Sequence, residues 1–135
     1  MKKTILIIII FLQFGKVEAQ GNVGLQIIGN WNITNINSEG DEVLSTTKWI
    51  FLNDGKCNVY IDNQLMQSYF YTITNTECDS GLIDNENFHL KLQSTSDQKL
   101  VECYIFMGFA NIDGLQTLSL LAYGATDPIL FKKVL

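Results

Sequence analysis

Arginine is absent from all 135 residues, which removes the side chain that most often clamps phosphates, carboxylates and guanine edges. With a formal net charge of −5 as well, the chain is a poor match for nucleic acid or an anionic membrane surface. Histidine occurs once, as His89, and proline once, as Pro128. A single imidazole and a cysteine spacing that fits no zinc pattern leave no metal site to expect, and no cofactor. Neither a nucleophile elbow nor a cysteine-protease signature is present, so the expectation is a protein that is not an enzyme. Helical periodicity is missing after residue 19, and with so little proline the turns fall to Gly, Asn and Asp.

What is present begins with a leader. Lys2 and Lys3 form a basic start, Thr4 to Phe14 is apolar apart from Gln13, and Val17-Glu18-Ala19 places small residues where a signal peptidase cuts. Residues 1–19 therefore read as a signal peptide cleaved after Ala19. Residues 20–135 then form one domain of modest core, with a secreted or periplasmic destination. The leader removes more lysines than acids, so the mature chain is more acidic than the whole. No later run is apolar for long enough to span a bilayer, and no membrane insertion is expected after cleavage.

From Trp31 onward, short runs rich in Ile, Val, Phe, Tyr, Thr and Leu alternate with turn clusters such as Asp54-Gly55, Asp62-Asn63 and Asp113-Gly114. Strands are predicted near 31–37, 46–53, 56–62, 67–74, 87–93, 99–107, 115–122 and 128–134. A short helical turn is predicted over 26–29. Eight sequential strands with short links favour an all-β, antiparallel up-and-down barrel. At the second hairpin, a three-residue loop Asn53-Asp54-Gly55 with Gly55 left-handed puts Trp49, Phe51, Cys57, Val59 and Ile61 on one apolar face. Alternation adds Tyr69, Tyr71, Ile73, Phe88, Leu90, Leu92, Val101, Ile105, Met107, Leu118 and Leu120 to the interior, and turns His89 to solvent.

Three cysteines in an exported chain imply one disulfide and one leftover thiol. Cys78 lies in a polar loop and Cys103 in a strand that can run beside it, whereas Cys57 falls on the apolar face of its hairpin. Cys78–Cys103 is the favoured pair, with Cys57 a buried free thiol. The same alternation that fills the interior turns Cys103 inward, which conflicts with that pairing.

Carboxylates fall almost entirely in the connectors, which argues against acid–base catalysis inside the barrel. Glu77, Asp79, Asp84 and Glu86 share one long loop, but their spacing is that of a solvated acidic loop and not of a calcium loop. The remaining candidate constellation is the inward set Trp49, Phe51, Val59, Tyr69, Tyr71, Phe88 and Met107, which either lines a small ligand pocket or simply forms the core.

The stretch Leu25-Gln26-Ile27-Ile28-Gly29-Asn30-Trp31 with Ile33-Thr34 resembles the G-x-W signature opening the first strand of lipocalins and other calycins. In particular the chain is similar to small lipocalin-like domains secreted by Bacteroidetes. The likeness continues through Trp49-Ile50-Phe51 before Asp54-Gly55, Tyr69 and Tyr71 before Cys78, Leu90-Lys91-Leu92, Cys103-Tyr104-Ile105, Leu118-Ser119-Leu120 and Phe131-Lys132-Lys133. The resemblance implies a structural role for Gly29 and Trp31, with a basic residue over the indole. In the absence of Arg that residue is Lys132 or Lys133, which lacks a planar stacking face. It also implies an exported protein that binds a small hydrophobic or amphipathic ligand in the barrel. The alternative is a filled barrel acting as an interaction or inhibitor module, contacting a protein partner through acidic loops and exposed Ile50, Leu52, Tyr60, Phe70 and Phe106.

Overall fold

The computed structural model describes residues 23–134, so the leader expected over 1–19 and its cleavage site lie outside the described residues. A helical turn over residues 23–27 is followed by β1 (Gly29–Ile36), β2 (Glu42–Phe51), β3 (Lys56–Ile61), β4 (Gln64–Thr74), β5 (His89–Ser94), β6 (Val101–Ile112), β7 (Leu115–Ala122) and β8 (Ile129–Val134). Each strand pairs antiparallel with the next, and β8 returns to β1, closing an eight-stranded up-and-down barrel. Closure leaves no unpaired sheet edge.

Turn chemistry sets the registers. Phe51 pairs with Cys57 and the Leu52 N–H donates to the Lys56 carbonyl at 2.8 Å, which leaves Asn53-Asp54-Gly55 as the three-residue loop, with Gly55 at φ 86°. The expected register follows, with Trp49, Phe51, Cys57 and Val59 facing inward together. Two tighter hairpins use Asp62-Asn63 (φ 52° and 62°) and Asp113-Gly114 (φ 54° and 80°), residue types that tolerate the left-handed pair a two-residue loop demands.

Strand β6 departs from expectation in phase and length. Leu90 pairs with Tyr104 and Leu92 with Glu102, so Glu102, Tyr104 and Phe106 turn inward in the first half of β6. Met107 is 55% exposed and Val101 41% exposed, whereas Phe106, expected on the surface, is 6% exposed in the core. Ile105 likewise leaves the interior, where Tyr104 takes its place. Both parities of this strand are apolar, so alternation alone had no power to choose between them. The disulfide chooses: Cys78–Cys103 forms, and a bridge to an outer loop requires Cys103 to face outward. A register shift between Phe106 and Gly108 then bends the strand and carries it on to Ile112, bringing Phe109 within 6.0 Å of the Trp31 ring. Ile61, expected inside, is 39% exposed because it sits at the rim, where β3 ends.

The ends of the barrel differ. The helical turn, the β2–β3 and β6–β7 hairpins and the long connection 75–88 lie at one end; the β1–β2, β3–β4, β5–β6 and β7–β8 connections form the other, here called the mouth. Trp31 and Ile27 are fully buried at the closed end, and the indole N–H donates to the Ile27 carbonyl at 2.7 Å, tying the helical turn under the barrel. Lys133 places its ammonium 5.4 Å from the Trp31 ring, while Lys132 faces outward and pairs with Glu42 at 2.8 Å, lowering that carboxyl's pKa. Gly29 adopts φ 136°, and a Cβ there would stand 2.8 Å from Lys133 Cε. The bare backbone makes room for the lysine over the indole.

Trp31→Ala is expected to lower unfolding free energy by about 3–5 kcal/mol through loss of a buried aromatic. Gly29→Ala should cost about 1–3 kcal/mol, mainly as backbone strain. Urea unfolding of both variants checks this; equal midpoints for Trp31→Ala and the parent would remove Trp31 from its place in the fold.

Candidate functional site

Strands β2 and β6 stand four places apart in a ring of eight, and yet the Trp49 and Tyr104 rings meet edge to face at 5.5 Å. Trp49 also meets Phe131 of β8 at 5.0 Å. Contacts between opposing walls close the lumen at this level with Leu92, Leu120 and Cys57, all fully buried. Below lie Phe51, which meets Tyr71 at 5.1 Å, together with Leu90, Leu118 and Phe106. The Tyr71 hydroxyl donates to the Leu52 carbonyl at 2.8 Å, so its polar end is satisfied by the adjoining hairpin.

Above the aromatic layer the inward surface changes character. Thr47, Val59, Gln67 and Tyr69 are half-buried, and Glu102 is exposed at the mouth while sharing the inward face of β6 with Tyr104. The Tyr104 hydroxyl donates to Glu102 Oε2 at 2.8 Å. Gln67 Nε2 donates to the fully buried Ser94 Oγ at 2.6 Å, and that oxygen also receives the Ser96 and Asp97 N–H groups. Burial raises the pKa of Tyr104 and Tyr69, and the Glu102 carboxylate beside them raises it further. The Cys57 thiol is pushed up to about 12, first by burial and then by Glu102.

The sequence-derived set is thus divided among different places. Val59 and Tyr69 line the mouth, Trp49 belongs to the aromatic layer, and Phe51 and Tyr71 lie beneath it. Phe88 lies toward the closed end, half-buried against the core, and Met107 lies on the outside. Glu102 and Tyr104 escaped sequence reasoning because the wrong phase of β6 was favoured. Their signal was the conflict between an outward Cys103 and an inward one: resolving it for the disulfide turns both neighbours inward.

A second polar cluster sits outside the barrel wall. His89 is 3% exposed and does not face solvent as expected. It points outward from β5, but the connection 75–88 and Tyr123 fold over it. Cys78 N–H donates to the Tyr123 oxygen at 3.1 Å, which leaves the phenol proton for His89 Nδ1. Nε2–H then donates to Asp84 Oδ2 at 2.8 Å, the tautomer these partners require. The Asp84 carboxyl is lowered to about 2, first by the Glu86 N–H and then by His89. The connection is further tied by the Thr76–Ile83 bridge and by the Cys78–Cys103 disulfide, which closes a separation of 25 residues and contributes about 3.5 kcal/mol in the chain-entropy account. Beside this cluster runs an open groove of about 550 Å³ lined by Lys91, Glu102, Cys103, Tyr104 and Tyr123 among others. Among the described residues, no group of three or more His, Cys, Asp or Glu side chains is arranged to hold a metal ion.

No family model matches the chain, and no curated protein sequence matches it.

The thiol gives a direct check on the filled interior. Since its folded value of about 12 exceeds the ordinary 9.0, the stability this group contributes is full below pH 9.0 and is lost as pH rises through about 12. At mildly alkaline pH, iodoacetamide should leave the native protein unmodified and label one cysteine after unfolding in urea. Rapid labelling of the native protein, read by mass spectrometry, would show that the layer around Cys57 is open.

Proposed function

We propose that this protein is a lipocalin-like, non-enzymatic binding module of an oxidising compartment outside the cytoplasm, which takes one small amphipathic molecule in the mouth of its barrel. The observation that carries the reading is the change of surface across the Trp49–Tyr104 layer. Below it the inward side chains are mutually packed and, apart from the Tyr71 hydroxyl and the Lys133 ammonium over Trp31, apolar; above it half-buried Val59 and Tyr69 stand next to Thr47, Gln67 and Glu102. A concave site with an apolar wall and a few convergent polar groups is the general form of a small-ligand site. A short molecule suits this mouth, since the Trp49–Tyr104–Phe131 contacts stand beneath it. The disulfide fits an oxidising compartment, and the leader-like residues 1–19 supply the export reading. The Asp84–His89–Tyr123 chain serves in this account as a latch for the 75–88 connection, its Tyr123 oxygen already engaged by the Cys78 N–H.

A second reading, a filled barrel that binds a protein partner, draws support from the apolar side chains exposed around the mouth: Ile36 at 74%, Met66 at 57% and Leu65 at 54%. Phe70 is 46% exposed as expected for that reading, whereas Phe106 is in the core and cannot contribute. The same rim also suits the apolar part of a ligand seated at the mouth.

The two tryptophans separate these readings, because Trp49 floors the mouth and Trp31 seals the far end. Titrating short-chain alcohols, amines and acids into the protein should move the Trp49 indole resonance in a proton–nitrogen NMR spectrum and leave that of Trp31 in place. Movement of neither indole would overturn the mouth as a site and favour the partner-binding barrel.

A further inference from the structure

Glu102 brings a carboxylate to the inward face of β6 at the mouth, beside Tyr104. Among the described residues the Lys132–Glu42 ion pair and the His89–Asp84 hydrogen bond both leave Glu102 out. The lysine of the neighbouring strand, Lys91, pairs in register with Cys103 and so lies on the other side of the sheet. A carboxylate in this position brings a penalty as well as a hydrogen bond. It accepts from Tyr104, a task a neutral amide oxygen would perform, and it adds its charge to the burial that already holds protons on Cys57, Tyr69 and Tyr104. The mouth therefore combines a carboxylate that takes part in neither of these pairs with phenol rings in a chain that has no arginine and a net charge of −5.

We infer that the mouth selects a small organic cation, an ammonium group on a short apolar body, with Glu102 receiving the ammonium and Tyr69 and Val59 flanking the body. This rests on the mouth being the binding site. An ammonium offers three donors and no acceptor, so it meets the carboxylate in a charge-assisted hydrogen bond. Aromatic faces carry negative charge density and add cation–π attraction. Molecules with a carboxylate head meet Glu102 as a like charge and are disfavoured, which separates this site from one for fatty acids. The acidic surface adds an ionic-strength-dependent attraction for cations approaching the mouth.

Three probes with one tail and different heads test this: hexylamine, hexanol and hexanoate, titrated calorimetrically into the folded protein at neutral pH. Hexylamine should bind at least about tenfold more tightly than hexanol, the gain of one charge-assisted hydrogen bond, and hexanoate should bind more weakly than either. Raising ionic strength should weaken hexylamine and leave hexanol unchanged. Glu102→Gln, which keeps an acceptor for Tyr104, should erase the preference for the amine while retaining hexanol. Equal binding of amine and alcohol, preference for hexanoate, or an amine preference that survives Glu102→Gln would overturn the inference while leaving the mouth as a site. Should none of the three probes bind, the mouth reading itself falls and the inference with it. If Glu102→Gln does not fold, the head-group series and its salt dependence in the parent protein decide the matter alone.

Discussion

The contact between Trp49 and Tyr104 is the constraint on which the rest depends. An eight-stranded barrel has an interior just wide enough for side chains, and whether it is full or hollow turns on what opposing strands present to one another. Here β2 and β6 present rings that touch, with Phe131 of β8 joining them. That layer buries Cys57 and lets Leu90, Leu92, Leu118 and Leu120 fill the spaces beside and beneath it. At the closed end Trp31 is held from below by the Ile27 carbonyl and overlain by Lys133. Thr47, Gln67, Ser94 and Glu102 collect on the other side of the layer, toward the mouth. The proposed site therefore lies at the mouth, on the far side of the packed layer.

Outside the wall a second arrangement handles a problem the barrel creates. The connection from β4 to β5 is long, and long connections need their backbone groups satisfied. Asp84, His89, Tyr123 and the Cys78 N–H form one continuous chain of donors and acceptors, and the disulfide fastens the same segment to β6. Buried polar groups of this kind are stable when every member is paired, and among the described residues no buried side-chain polar atom lacks a partner.

Much of the fold was legible in the sequence because its turns are written in residues with few conformational alternatives. Asp54-Gly55 and Asp113-Gly114 marked hairpins, and the left-handed Gly55 fixed the face on which Trp49 and Phe51 lie. The G-x-W stretch placed Trp31 and, through it, the lysine above. Legibility failed where one strand is apolar on both faces. In β6, Val101, Cys103, Ile105 and Met107 compete with Tyr104 and Phe106, and a period of two cannot rank them. Only a long-range constraint, the bond from Cys78, decides. His89 was misread for a related reason: alternation gave its face correctly, but a residue on the outer face is solvent-exposed only if nothing covers it. The candidate site suffered most from the first failure, since Glu102 lies on the strand whose phase was reversed.

The most direct test of this account is a double-mutant cycle between Trp49 and Tyr104, using Trp49→Leu, Tyr104→Leu and the pair, with stability read from urea unfolding. If the rings are in contact across the barrel, the double variant should lose about 0.5–1.5 kcal/mol less than the sum of the two single losses. Additive losses would mean that the opposing walls do not touch, that the interior is open at this level, and that the mouth is not where a ligand must stop.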